Sequence, residues 1–93
     1  MGGPYGIGGA KWPGAGRVIE ESGELTQVLG KLIGADGATT HWDGTDLRAR
    51  LVEEIADVRA ALDFFAEVND LPLDEIDERA ARKRATYERW HAG

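Results

Sequence analysis

The sequence has no cysteine, so disulfides, thiolate metal sites and cysteine nucleophiles are all excluded. The absence also fits a reducing compartment. No stretch approaches the roughly 20 consecutive apolar residues needed to cross a bilayer. The N-terminus lacks the basic-then-apolar pattern of a signal peptide, and a soluble cytoplasmic protein is expected. Basic charge is also in short supply, with 11 Lys plus Arg against 17 Asp plus Glu and a net charge of -6. That balance argues against nucleic acid as a partner, since such affinity comes largely from neutralised phosphates. It leaves room for a phosphate-bearing small molecule, because carboxylates hold Mg²⁺ and Mg²⁺ holds phosphates. No segment alternates with period two for long enough to make a strand, and no solenoid-type repeat is present.

The 93 residues suffice for one domain. So short a chain buries a thin core, and help from a partner subunit is expected. Residues 1–16 are dominated by Gly and Pro and read as a loop-like arm. Gly6, Gly8 and Gly9 ahead of Lys11 faintly suggest a phosphate loop, but the spacing fits neither established glycine motif and no strand precedes it.

Three helices follow. Val18, Ser22, Leu25, Leu29 and Leu32 recur at three- and four-residue steps over Arg17 to Ile33, with Gly34 as the expected stop. A Gly-, Asp- and Thr-rich loop carries His41, Trp42 and Asp43, and Thr45 is the expected N-cap of the next helix. That helix spans Asp46 to Val68, with Leu47, Leu51, Ile55, Val58, Leu62 and Phe65 as its apolar stripe. Asn69, Asp70 and Pro72 break it. The third runs from Pro72 or Leu73 to Trp90, with Ile76, Ala80, Tyr87 and Trp90 on one face. The expected fold class is all-α: a bundle of about three helices per chain, completed by homo-oligomerisation.

The first two helices share an echo, Glu20-Glu21-x-x-Glu24 and Glu53-Glu54-x-x-Asp57. Residues three apart are neighbours on one side of a helix, so Glu21 with Glu24 and Glu54 with Asp57 each form a two-carboxylate comb. Solvated surface acids are the plain reading, since such residues are seldom buried unpaired. Projection at about 100° per residue tells against it. Glu21 falls between Val28 and Leu32, Glu24 at the edge of that arc, Glu54 between Ala61 and Phe65, and Asp57 between Phe64 and Val68. Glu20 and Glu53 turn toward the polar side.

Acids facing a helix–helix interface must be protonated, paired or metal-bound. Basic residues look scarce on the same faces, and an all-oxygen donor set suits Mg²⁺ or Mn²⁺ rather than Zn²⁺. Neither acid pair continues as Glu-x-x-His, the sequence's one example being Glu88 to His91 on the third helix, which disfavours a di-iron site. On the third helix Lys83 falls within the apolar stripe with Arg79 at its margin; a snorkelling side chain explains Lys83 alone, a phosphate contact explains it beside a metal site.

The pattern EExxE, a spacer, then ExxD resembles the MazG-like all-α nucleoside triphosphate pyrophosphohydrolases. The stretches WPGAGRVIEESGELTQVLGKLIG and HWDGTDLRARLVEEIADVRAALDFF resemble the short, phage- and actinobacterial-type members, and the likeness covers roughly residues 12 to 91. It implies a helical bundle completed by a second subunit as a homodimer or homotetramer. It implies hydrolysis of a nucleoside triphosphate to the monophosphate and pyrophosphate, with Mg²⁺ or Mn²⁺ as cofactor. The implied metal ligands are Glu21, Glu24, Glu54 and Asp57. Lys31, Lys83 and Asn69 are the best matches for substrate contacts. Beside these, Trp12, Trp42 and His41 are candidates to stack on or edge the base, although Trp42 serves equally well as an anchor of its own loop. Glu20 or Glu53 is a candidate to orient the attacking water, with a solvated surface acid as the plainer reading for each. A non-catalytic helical interaction module, or a cation-stabilised protein without turnover, would keep the fold and lose the chemistry.

Overall fold

A computed structural model describes residues 11–93, and Gly6, Gly8 and Gly9 of the faint phosphate-loop pattern lie outside them. The described residues form three helices and no strand: α1 (Ala15–Gly34), α2 (Leu47–Val68) and α3 (Leu73–Ala92). Among the described residues, no helix is long and apolar enough to cross a membrane.

Helix α1 starts two residues earlier than the periodicity alone predicts, because a turn launches it. The amide of Ala15 donates to the carbonyl of Trp12 at 3.1 Å, and Gly14 sits at φ 89° and ψ -10°. Pro13 followed by a left-handed glycine is the chemistry of a type II turn. A Cβ on Gly14 would also meet the Phe64 ring at 3.4 Å, so the turn lies directly on the end of α2.

Gly34 is not the stop. It is the last helical residue, and the chain turns at Asp36, whose φ is 55°. Asp36 N–H donates to Ile33 O at 3.1 Å and Gly37 N–H to Leu32 O at 2.9 Å, the paired bonds of a Schellman cap. Helix α2 ends the same way, with Asp70 at φ 53°, its N–H on Glu67 O and the Leu71 N–H on Ala66 O. The start of α2 also differs by one residue from expectation. Asp46, not Thr45, is the N-cap, its carboxylate accepting from Ala49 N–H at 3.0 Å. Thr45 instead donates its backbone N–H to Asp43 at 3.0 Å, closing the loop before the helix.

Helices α1 and α2 form an antiparallel hairpin, as the meeting of Trp12 with Phe65 and of Pro13 with Asn69 shows. The core lies between them: Val28, Leu47, Ala61 and Ala66 are buried, and Val18, Leu25, Leu32, Leu51, Val58 and Phe65 are half-buried. Leu29, Ile55 and Leu62, placed in the stripes by periodicity, lie outside this contact and are exposed.

Helix α3 is well formed but buries no residue, and Ile76, Tyr87 and Trp90 on its apolar face are exposed. The radius of gyration, 16.1 Å, exceeds the about 12 Å of a compact domain of this length. The core is a two-helix core, and the third helix stands off it.

Candidate metal centre

The hairpin brings acids from α1 and α2 together at mid-length. Glu21, Glu54 and Asp57 each present a carboxylate oxygen such that all lie within 4.8 Å of one another. Glu54 keeps only 3% of its surface exposed and Glu21 9%, while Asp57 stands at the solvent rim. Helical phase explains the placement. Glu21 shares a face with Val28, and Glu54 with Leu47 and Ala61, so burying the apolar stripe carries the acids in with it. Glu24, expected as a fourth ligand, is half-buried and near enough to Glu54 to influence its proton, but it is not among the three whose oxygens gather within 4.8 Å.

Burial is the main reason that both buried glutamates hold their protons more tightly than usual. For Glu21 it is followed by the charges of Glu24 and Asp57, with Arg17 opposing. For Glu54 it is followed by the charge of Glu24 and the hydrogen bond to it, with Arg50 opposing and Asp57 adding to the rise. Among the described residues, Glu21 Oε2 and Glu54 Oε2 are buried and find no hydrogen-bond partner. Buried polar atoms are normally satisfied, and two orphaned oxygens facing one cluster call for a cation or a proton.

Opposite ligands of a six-coordinate Mg²⁺ stand about 4.2 Å apart, so oxygens gathered within 4.8 Å are in reach of a single ion. The donor set is all carboxylate, which favours a hard cation.

Two basic residues reach this cluster, contrary to the scarcity expected from the sequence. Arg17 Nη1 lies 3.5 Å from Glu21 Oε1 and 3.4 Å from Glu20 Oε2. Arg50 Nη2 lies 3.2 Å from Glu54 Oε1. Each arginine sits one turn ahead of its glutamate, 40° or so round the helix, and side chains four apart meet. The signal was in the sequence: Arg17-Val18-Ile19-Glu20-Glu21-Ser22-Gly23-Glu24-Leu25 parallels Arg50-Leu51-Val52-Glu53-Glu54-Ile55-Ala56-Asp57-Val58.

Apart from Glu20, which Arg17 ties to Glu21, the other candidate residues stand apart from the carboxylates within one chain. Glu20 and Glu53 are exposed, on the polar side where projection put them. Lys31 is half-buried in the last turn of α1, and its charge helps hold the Asp43 carboxyl below its usual range, behind the larger effect of the hydrogen bonds from Thr45. Trp42 is 88% exposed, so it does not anchor its loop; its ring is tilted against His41 at 5.5 Å between centroids. Lys83 lies over the Tyr87 ring of its own helix at 5.5 Å.

Asn69 and Trp12 belong to the far end of the hairpin, Asn69 being about 18 Å along α2 from Asp57. The Asn69 amide donates to Pro13 O at 2.9 Å and Phe65 O at 2.8 Å, and Trp12 stacks on Phe65 at 6.2 Å. A second acidic hollow, of about 290 Å³, is lined by Asp63, Glu67, Leu73 and Asp77. All four are exposed, and none supplies a buried orphan oxygen.

Comparison with protein-family models, with curated proteins and with solved structures found no match.

Proposed function

We propose that the chain is a Mg²⁺-dependent nucleoside triphosphate pyrophosphohydrolase of the MazG-like kind, converting a (d)NTP and water to the (d)NMP and pyrophosphate. The observation that carries this reading is the convergence of Glu21, Glu54 and Asp57 oxygens around two buried, unpartnered carboxylate atoms. Glu24, beside Glu54 but outside that group of three, is the fourth acid of the proposed set. A divalent cation held there would neutralise and orient triphosphate oxygens and lower the pKa of a bound water. Glu20 and Glu53 are both exposed, Glu20 being engaged by Arg17, so either would orient a water from outside the gathered oxygens.

The lysines and aromatics of the sequence pattern come to such a site from a second copy of the chain. Lys83 and Trp90 ride on a helix with no buried residue, and Ile55 and Leu62 leave an apolar edge of α2 uncovered. A homodimer or homotetramer would cover both. The same uncovered surfaces favour one alternative, a non-catalytic interaction module whose acids are stabilised by a cation.

Pyrophosphate release from a panel of canonical and modified (d)NTPs, with and without Mg²⁺, separates the two. Mg²⁺-dependent release by wild type, lost in Glu54→Gln, is the expected result. No release from any nucleotide, with Mg²⁺ still bound, would leave the interaction module.

A further inference from the structure

The two nonapeptides that carry the acids also carry their counter-charges. The antiparallel hairpin sets Arg17-x-x-x-Glu21 and Arg50-x-x-x-Glu54 against each other across the cluster. On both sides the arrangement is the same: the arginine lies against Oε1 of the buried glutamate, and Oε2 is left buried and unpartnered. Neither arginine is itself buried, their side chains keeping 38% and 45% of their surface in solvent. Each therefore delivers its charge to the cluster without a large desolvation cost of its own.

The charges can be compared. Glu21, Glu54 and Asp57 bring three negative charges to the gathered oxygens when ionised, with Glu24 beside Glu54. Arg50 brings one positive charge, and Arg17 brings another that it shares with Glu20. The acids outnumber the arginines, so an excess of negative charge remains for a cation or protons to offset.

Resting on the cation-site reading above, we infer that Arg17 and Arg50 are the resident counter-cations of the centre, which set its affinity for a divalent ion. They carry the site's excess charge when no ion is bound, and they repel an ion when it arrives. The two effects have opposite signs in experiment. Removing an arginine weakens the metal-free fold and tightens metal binding, whereas a residue that merely positioned a ligand would weaken both.

The test is calorimetric titration with Mn²⁺ at neutral pH, together with thermal melts in EDTA and in saturating Mn²⁺. It is run on wild type, Arg50→Gln, Arg17→Gln and Arg50→Lys. Wild type is expected to bind Mn²⁺. Arg50→Gln and Arg17→Gln are expected to melt lower in EDTA, to recover in Mn²⁺, and to bind the ion roughly tenfold tighter, the scale of removing one unit charge beside a partly screened divalent ion. Arg50→Lys, which keeps the charge, is expected to follow wild type in both readouts. Binding by Arg50→Gln that is unchanged or weaker overturns the inference. Wild type that binds Mn²⁺ but releases no pyrophosphate removes the enzyme reading and leaves the counter-cation role standing. Wild type that binds no Mn²⁺ removes both.

Discussion

The side-chain amide of Asn69 donates to the backbone carbonyl of Pro13 at 2.9 Å, joining residues 56 apart in sequence. The same amide reaches the Phe65 carbonyl at 2.8 Å, which also accepts the Asn69 backbone N–H at 3.2 Å where α2 ends. Trp12 stacks on Phe65 beside it, and Gly14 rests on Phe64. One asparagine thus clips the start of α1 to the end of α2, and with it fixes the register that brings Glu21 opposite Glu54. Net contributions of about 0.5–1.5 kcal/mol per hydrogen bond give an expected loss of about 1–2 kcal/mol for Asn69→Ala. For a domain of this size that lowers the melting temperature by roughly 4–16 °C, read by circular dichroism. A melt unchanged from wild type would show that the clip is immaterial to stability.

Stability in EDTA should fall as pH rises through the weakly acid range toward neutral. Glu21 and Glu54 hold their protons above the ordinary glutamate value of 4.5. The native state then binds more protons than the unfolded chain, and the stabilisation is full below that ordinary value and lost as pH climbs through the raised ones. Asp43 works the other way at the acid end. Its carboxyl titrates below the ordinary 3.8, chiefly through the Thr45 hydrogen bonds, so its contribution is lost as pH falls through the lowered value. Melting temperature against pH in EDTA is therefore expected to peak in the weakly acid range. Saturating Mg²⁺ should lift the neutral side of that curve most, because ligand carboxylates are bound ionised. A curve in EDTA that rises steadily to neutral pH would contradict the assignment of Glu21 and Glu54 as the dominant titrating groups.

Glu54→Gln should stabilise the metal-free protein at neutral pH while abolishing its response to Mg²⁺. The amide keeps the shape of Glu54 and is neutral, so it escapes the burial and the neighbouring Glu24 charge that disfavour the Glu54 carboxylate. It also removes the most deeply buried of the acids. Arg50 loses its partner, but that side chain is 45% exposed and water takes the place of the carboxylate. The expected result is a higher melt than wild type in EDTA and no further rise in Mg²⁺. A lower melt in EDTA would mean that the Arg50–Glu54 pair outweighs the repulsion among the acids.

These expectations show how far the sequence reads through to the site. The inward turn of Glu21 and Glu54 was legible because a helix repeats at a fixed angle, so an acid in phase with Val28 or Ala61 must go where they go. Arg17 and Arg50 were missed because projection asks which face a residue occupies, and both lie just beyond the arc. A long side chain placed one turn before its partner crosses that margin. The stripe on α3 was read correctly as a pattern, yet Tyr87 and Trp90 are exposed. Periodicity says which face is apolar and is silent on what covers it. Helix ends were the least legible part: Gly34 looked like a stop, but the left-handed turn falls two residues later on an aspartate.

That choice of aspartate makes the last prediction. Asp36 and Asp70 both occupy the C′ position of a Schellman cap, where a left-handed backbone favours glycine. The Cβ makes that conformation costly, and a negative charge there opposes the negative end of the helix dipole. Against this, glycine loses about 0.5–1 kcal/mol through the greater freedom of the unfolded chain. The strain and dipole terms together exceed that loss, so Asp70→Gly is expected to gain about 0.5–1 kcal/mol. Gly37, next to Asp36, supplies the control. Its φ is 80° and nothing lies within 4 Å of where a Cβ would stand, so Gly37→Ala meets backbone strain alone. It should lose about 1 kcal/mol. Chemical denaturation with a common m-value reads both changes. Shifts of opposite sign are the expected outcome; a loss in both variants would mean that the Asp70 carboxylate has a role in the turn beyond occupying it.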